Sequence, residues 1–142
     1  MRKGKPSRTA EAAAFQRAAH LKWDAAPALF RDDKVAALLS PAARMWLRLP
    51  AGISSPRSRF AADAAIRQLR GQIVLRARYT EDALEENLLR GLSQYVILSA
   101  GLDTFALRRR DVADTLAVFE VDQPDTQRWT ADRARGAPPH RP

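Results

Sequence analysis

Two carboxylates and a small-residue turn, about twenty positions apart, are the part of this chain whose residue types and spacing could do chemistry. The stretch from Gln94 to Pro124 reads QYVILSAGLDTFALRRRDVADTLAVFEVDQP. An apolar run, Tyr95 to Leu98, feeds a turn of small residues, Ser99, Ala100 and Gly101. A second apolar run, Ala117 to Phe119, ends in Glu120 and Asp122. A first strand ending in a turn of little bulk, and a second ending in an acid, is the layout of a nucleotide-type cofactor site. The turn lets backbone approach a ligand, and the acid accepts hydrogen bonds from a ribose. Gly101 precedes Glu120 by 19 residues and Asp122 by 21, against an expected interval of about 20 for a Rossmann-type loop and its acid.

The turn holds one glycine and no G-x-G-x-x-G. It leaves less room for a pyrophosphate and suits an adenosine cofactor without one, such as S-adenosylmethionine. The plain alternative is an ordinary strand–turn–helix with an acidic loop. Asp122 is the first candidate for the ribose hydroxyls and Glu120 the second. Two apart in a strand, they point to the same side. Asp122 could also cap a helix beginning at Pro124. Asp103 belongs to the same turn and could instead cap the one that follows.

VILSAGLDT followed by VFEVDQP resembles the S-adenosylmethionine-dependent methyltransferases of the leucine carboxyl methyltransferase family, in particular its bacterial branch. Thr9, Arg17-Ala18 and PALFRDD (Pro27 to Asp33) resemble that family's helical lead-in, and RARYTED (Arg76 to Asp82) resembles its R-T-x-[YF]-x-D segment. The likeness spans roughly residues 7 to 130. Ser99 stands where the family usually has the first glycine of the loop, and Phe105 where an arginine is common. The resemblance implies an α/β fold: the N-terminal part of a Rossmann-like methyltransferase, with a helical lead-in and an incomplete parallel sheet. It implies S-adenosyl-L-methionine as cofactor and methyl transfer to an oxygen, on a carboxylate or hydroxyl acceptor. Ser99, Ala100 and Gly101 would let backbone approach the methionine moiety. Arg76 would pair with the cofactor carboxylate, a task suited to a planar guanidinium. Arg78 is its fallback, and the two could equally be a solvated pair. Arg17 would reach the site from the lead-in. The chemistry is an in-line displacement in which the protein mainly positions two reactants; no catalytic side chain is assigned and no metal is required.

The elements that must position these residues follow from pattern. Residues 1–8 read as a loose basic arm. Residues 9–22 favour helix through alanine. Asp32 or Asp33 caps a short helix with Val35, Leu38 and Leu39 on one face. Residues 42–49 form another helix, with Met45, Trp46 and Leu49, and LPAGISSP (Leu49 to Pro56) is a loop. A helix over 57–70 carries Phe60, Ile66 and Leu69 as its apolar stripe and stops at Gly71. Thr80 caps the next, with Leu84, Leu88 and Leu89 inward and Gly91 ending it. Strands are expected at Gln94–Leu98 and Leu116–Val121, then a helix from Pro124. The domain reading is a lead-in over 9–71, the start of a cofactor core over 72–134, and a disordered tail over 135–142. Only two strands are legible, so the expectation is a truncated core, an open-edged sheet with one poorly covered face, and marginal stability, self-association or reliance on a missing partner.

Composition narrows the field. The chain of 142 residues suits one domain. It has no cysteine, which excludes disulfides, thiolate metal sites and cysteine nucleophiles. No apolar run approaches the roughly 18 residues of a membrane span, and no secretory leader is legible; a cytoplasmic protein is expected. The net charge of +8 raises a nucleic-acid surface as an alternative. However, the clusters at Arg2–Arg8 and Arg108–Arg110 lack interleaved aromatics. A non-catalytic interaction module is the other alternative. His20 reads as a helix-surface residue and His140 as part of the tail. Trp23, Trp46 and Trp129 read as packing residues.

Overall fold

The computed structural model describes residues 6–49 and 59–135. Most of the expected arm, the loop from Pro50, the side chain of Phe60, His140 and the tail beyond Arg135 lie outside the described residues. The element order is α1 (Arg8–Trp23), α2 (Val35–Leu38), α3 (Pro41–Arg48), α4 (Arg59–Leu88), β1 (Gln94–Leu98), α5 (Phe105–Arg108), a short 3-10 turn (Arg110–Val112), β2 (Ala117–Val121) and α6 (Pro124–Arg135).

Capping chemistry starts the N-terminal helices. The Ser7 hydroxyl accepts the Ala10 N–H at 3.0 Å and opens α1. Asp32 accepts the Val35 N–H at 3.1 Å and starts α2. The Ser40 hydroxyl accepts the Ala43 N–H at 3.2 Å, with Pro41 in the first helical turn of α3. Small residues on α1 let it pack closely: Ala14 and Ala18 join Val35, Leu38, Leu39 and Leu102 in one buried cluster. Trp129 of α6 packs on that cluster and donates its indole N–H to the Leu38 carbonyl at 2.9 Å.

The two strands pair in parallel, in a register running from Gln94 opposite Ala117 to Leu98 opposite Val121. Tyr95, Ile97 and Val118 point to one face and pack against a second cluster of Leu84, Phe105 and Leu116. Val96, Leu98, Phe119 and Val121 point to the other face and are exposed. The open, half-covered sheet expected from two strands is therefore present among the described residues.

Several helical details differ from the sequence reading. Gly71 does not stop a helix: α4 runs unbroken for 30 residues, about 45 Å at 1.5 Å per residue. Thr80 is interior to it, and its hydroxyl donates to the Arg76 carbonyl at 2.8 Å instead of capping. One glycine costs only about 1 kcal/mol in a helix, which packing of α4 against α1 outweighs. Ile66 and Leu69 are exposed, and Leu89 is 91% exposed rather than inward, because it lies past the last turn of α4. Met45 and Trp46 also face solvent, while Ala43 and Leu47 supply the inner face of α3.

Candidate cofactor site

The parallel pairing brings the turn after β1 and the acid after β2 together. The Gly101 N–H donates to Asp122 Oδ2 at 2.5 Å. The Ala100 N–H donates to the Val121 carbonyl at 3.2 Å. The Thr130 hydroxyl of α6 donates to the Gly101 carbonyl at 3.2 Å. Gly101 has φ +62°, and a Cβ there would sit 3.1 Å from the Ala10 side chain, so both backbone shape and space require glycine. Ser99 has φ +55° and is the non-glycine residue with positive φ among those described. That conformation costs a non-glycine residue about 1–2 kcal/mol, offset here by the hydrogen bonds that fix the next two residues. Asp122 also accepts the Gln123 N–H, at 2.5 Å. Its carboxylate thus pins the turn, while the Thr126 and Gln127 N–H groups of α6 bond the Gln123 carbonyl. A carboxylate has about four acceptor positions, so two backbone bonds leave capacity for a ligand's hydroxyls.

Ser99, Ala100, Gly101, Asp103 and Asp122 all line one cavity of about 870 Å³, within the roughly 300–1,000 Å³ usual for cofactor sites. Helices α1 and α4 supply part of its wall, contributing Arg17 and Arg76. Arg78 is not on this wall. Two residues from Arg76 is about 200° around a helix, and Arg78 pairs on the solvent side with Asp82 at 2.8 Å. The Arg17 guanidinium is engaged by protein: its Nε lies 2.9 Å from Asp32, and it donates to the Leu102 carbonyl at 2.5 Å. Asp103 accepts the Phe105 N–H at 2.7 Å, the capping role the sequence left open. Glu120 stands apart from the cavity wall, half-buried on the sheet face that carries Val118. Burial, and then the Asp103 charge, push its carboxyl above the usual range.

A buried ionic group beside the turn escaped the sequence reading. Asp32 is 1% exposed. It accepts the Thr104 hydroxyl at 2.7 Å and lies 3.5 Å from Arg108 Nε. Arg108 also forms a two-pronged ion pair with Glu81 of α4. Burial opposes the Arg108 charge, but Glu81 and Asp32 outweigh it and hold its pKa above the ordinary value. Asp32 was legible only as a helix cap, since its partner Thr104 is 72 positions away.

Comparison with known proteins shows the family. Residues 10–140 match the profile of the leucine carboxyl methyltransferase family. YktD of Bacillus subtilis (strain 168), provisionally named an S-adenosyl-L-methionine-dependent methyltransferase, is 33% identical over 152 residues, covering 96% of this chain and 49% of its own. A similarly named protein of Mycobacterium sp. (strain KMS) is 34% identical over 116 residues, covering 80% of this chain and 40% of its own. The chain belongs to the leucine carboxyl methyltransferase family. It spans about half the length, or less, of the curated relatives it matches.

Within this family member the departure at position 105 has a structural use. Phe105 is 2% exposed and meets Tyr95 edge-on at 5.2 Å, so an aromatic core contact stands where a charge is common. The arginine run is largely neutralised. Arg108 turns inward, and Arg109 pairs with Glu85 at 2.7 Å and Asp111 at 2.9 Å, which removes charge from any polyanion surface there. His20 is not a surface residue: it is 8% exposed, its Nδ1 lies 2.8 Å from Asp24, and its Nε2 accepts the Leu29 N–H at 3.1 Å. Since Nε2 accepts, Nδ1 carries the proton. Trp23 packs edge-on against Phe15 and Trp129 against the first cluster, but Trp46 is 56% exposed. Among the described residues, no three His, Cys, Asp or Glu side chains are grouped to hold a metal, and no helix is long and apolar enough to cross a membrane.

Proposed function

We propose that this chain carries the adenosyl-binding site of an S-adenosylmethionine-dependent methyltransferase acting on an oxygen acceptor. The observation that supports this most is the convergence of the Gly101 turn and Asp122 on one cavity, at the same ends of two parallel strands. The cavity fits such a group in three ways. It has adequate volume, a lining turn of small residues from Ser99 to Gly101, and both signs of charge in its lining, Asp122 and Arg76. Asp122 accepts the ribose hydroxyls with the acceptor positions its backbone bonds leave over. Arg76 pairs with the cofactor carboxylate; it is exposed and lines the cavity. Ser99 to Gly101 give the methionine moiety a backbone floor. Arg17 acts indirectly, by holding the Leu102 carbonyl. Glu120 takes no direct part. When bound, the cofactor supplies a methyl on a sulfonium, whose departure needs no protonation, so the protein's part is alignment and exclusion of water.

The acceptor, a carboxylate or a hydroxyl, rests on the family alone. A non-catalytic binding role is the second reading, supported by the bare sheet face. Isothermal titration with S-adenosylmethionine and with its demethylated product separates these from a misassigned site. Micromolar binding is expected, weakened by about tenfold or more in Asp122→Asn and Arg76→Ala, since hydrogen bonds to charged groups contribute about 1.5–3 kcal/mol each. Absence of binding by the native chain sinks the proposal. Binding without methyl transfer to carboxylate or hydroxyl acceptors favours the non-catalytic reading.

A further inference from the structure

We infer that Asp32 is a positioning residue for the cofactor turn, acting through Arg17 and Thr104 to hold it in its ligand-ready shape. The inference rests on the adenosyl reading of the cavity. Asp32 Oδ1 accepts the Val35 N–H at 3.1 Å and the Thr104 hydroxyl at 2.7 Å. Its Oδ2 lies 2.9 Å from Arg17 Nε. The same Arg17 donates to the Leu102 carbonyl at 2.5 Å. One carboxylate therefore fixes residues 102 and 104, the first by way of Arg17 and the second directly, on either side of Asp103. Arg108 extends the grip to α4: its Nε lies 3.0 Å from the Thr104 hydroxyl and its guanidinium forks onto Glu81. Four separate segments, α1, the lead into α2, the turn after β1 and α4, meet at this group, and Arg17, Asp32, Glu81, Thr104 and Arg108 all line the cavity.

A helix cap alone does not explain this arrangement. A cap needs one acceptor for one N–H and no burial. Asp32 is 1% exposed, and two arginines face it. A buried ion group is a costly way to add stability but an effective way to impose one arrangement, as in helix pairs whose register a buried polar group selects. The turn it grips carries a strained Ser99 at φ +55°, and such a conformation persists only where its surroundings over-determine it. The apparent affinity of a site falls with the fraction of molecules in the competent shape.

Asp32→Asn keeps the volume and one acceptor oxygen, so the cap and the Thr104 bond can survive, while the attraction to Arg17 and Arg108 is lost. The test is titration of the full chain with S-adenosylhomocysteine, beside amide hydrogen exchange of the ligand-free chain. Expected are a Kd weakened about 10- to 100-fold, as for a turn competent only 1–10% of the time, and faster exchange confined to residues 101–105 and α1. Asp32→Glu, which restores the charge, is expected to recover part of the affinity. Native-like binding by Asp32→Asn, or exchange that rises evenly through the strands as well, overturns the inference, because the second result marks a stability role only. Should Asp32→Asn not fold, Thr104→Val decides: a Kd weakened about 3- to 10-fold supports the inference, on the scale of one lost hydrogen bond, and unchanged binding overturns it. A native chain that binds no adenosyl ligand sinks the adenosyl reading, and the inference with it, whereas failure of Asp32 alone leaves native binding intact.

Discussion

Glu120 shows how a residue that suits a site by spacing can be diverted by its surroundings. The strand places it on the partly buried face, beside Asp103, and away from the cavity wall. Burial and the Asp103 charge both raise its pKa above the ordinary 4.5. The folded chain then binds more protons than the unfolded chain in the window from about pH 4.5 up to the raised value, so stability falls as pH rises through it. Below that window Glu120 is protonated in both states and contributes no penalty; above it the full penalty remains. Glu120→Gln is accordingly expected to raise the melting midpoint at pH 8 by about 1–3 °C, and to leave it unchanged at pH 3.5. Thermal unfolding followed by circular dichroism at the two pH values checks this. An equal gain at both, or a loss at pH 8, rules out a desolvated carboxylate there.

At the scale of elements, α4 decides how much of the lead-in can be read in advance. Gly71 looked like a stop because glycine ends many helices, yet no positive φ occurs there and a Cβ would meet nothing within 4 Å. Nothing in the packing requires glycine, so Gly71→Ala is expected to stabilise the chain by about 0.5–1 kcal/mol, through helix propensity and a less flexible unfolded state. Denaturant unfolding measures it; a loss of stability would mean that the helix is broken at that point. By contrast Gly91, with φ +91°, ends the segment as its sequence suggests. The bounds of β1 were legible because an apolar run is framed by Gly91 and Ser99, and the Gly101–Asp122 meeting followed from parallel pairing. The buried Asp32 group was not legible. Its members lie on four segments, and each alone resembles a cap or a surface charge. Arg17 was singled out from family likeness, but its commitment to Asp32 depends on where α1 lands, which no local pattern encodes. The burial of His20 is non-local in the same way: the Leu29 N–H that it accepts comes from the segment after α1 folding back over it.

At the scale of the molecule, the bare side of the sheet is the feature with the largest energetic weight. Val96 is 53% exposed, Leu98 74%, and Phe119 and Val121 49% each. These neighbours form one apolar strip across two strands that have no further partner among the described residues. Burying such side chains is worth about 1.5–3 kcal/mol each, and unpaired strand edges template further pairing. A solution of this chain alone is therefore expected to self-associate, with an apparent mass that rises with concentration in sedimentation velocity. Val96 and Phe119 carry the cleanest test, because both sit on the strip and neither lines the cavity. The double substitution Val96→Thr and Phe119→Thr keeps strand-compatible shapes while making the strip polar. It is expected to shift the chain toward monomer by at least tenfold in association constant, since about 1.4 kcal/mol suffices for that factor. Affinity for S-adenosylhomocysteine should stay within about threefold of the native chain. If association persists unchanged in the double variant, contacts elsewhere, such as exposed Met45 and Trp46 on α3, drive it instead. If adenosyl binding falls with association, the site needs a second copy to stay closed, and the cavity can no longer be treated as the property of one chain.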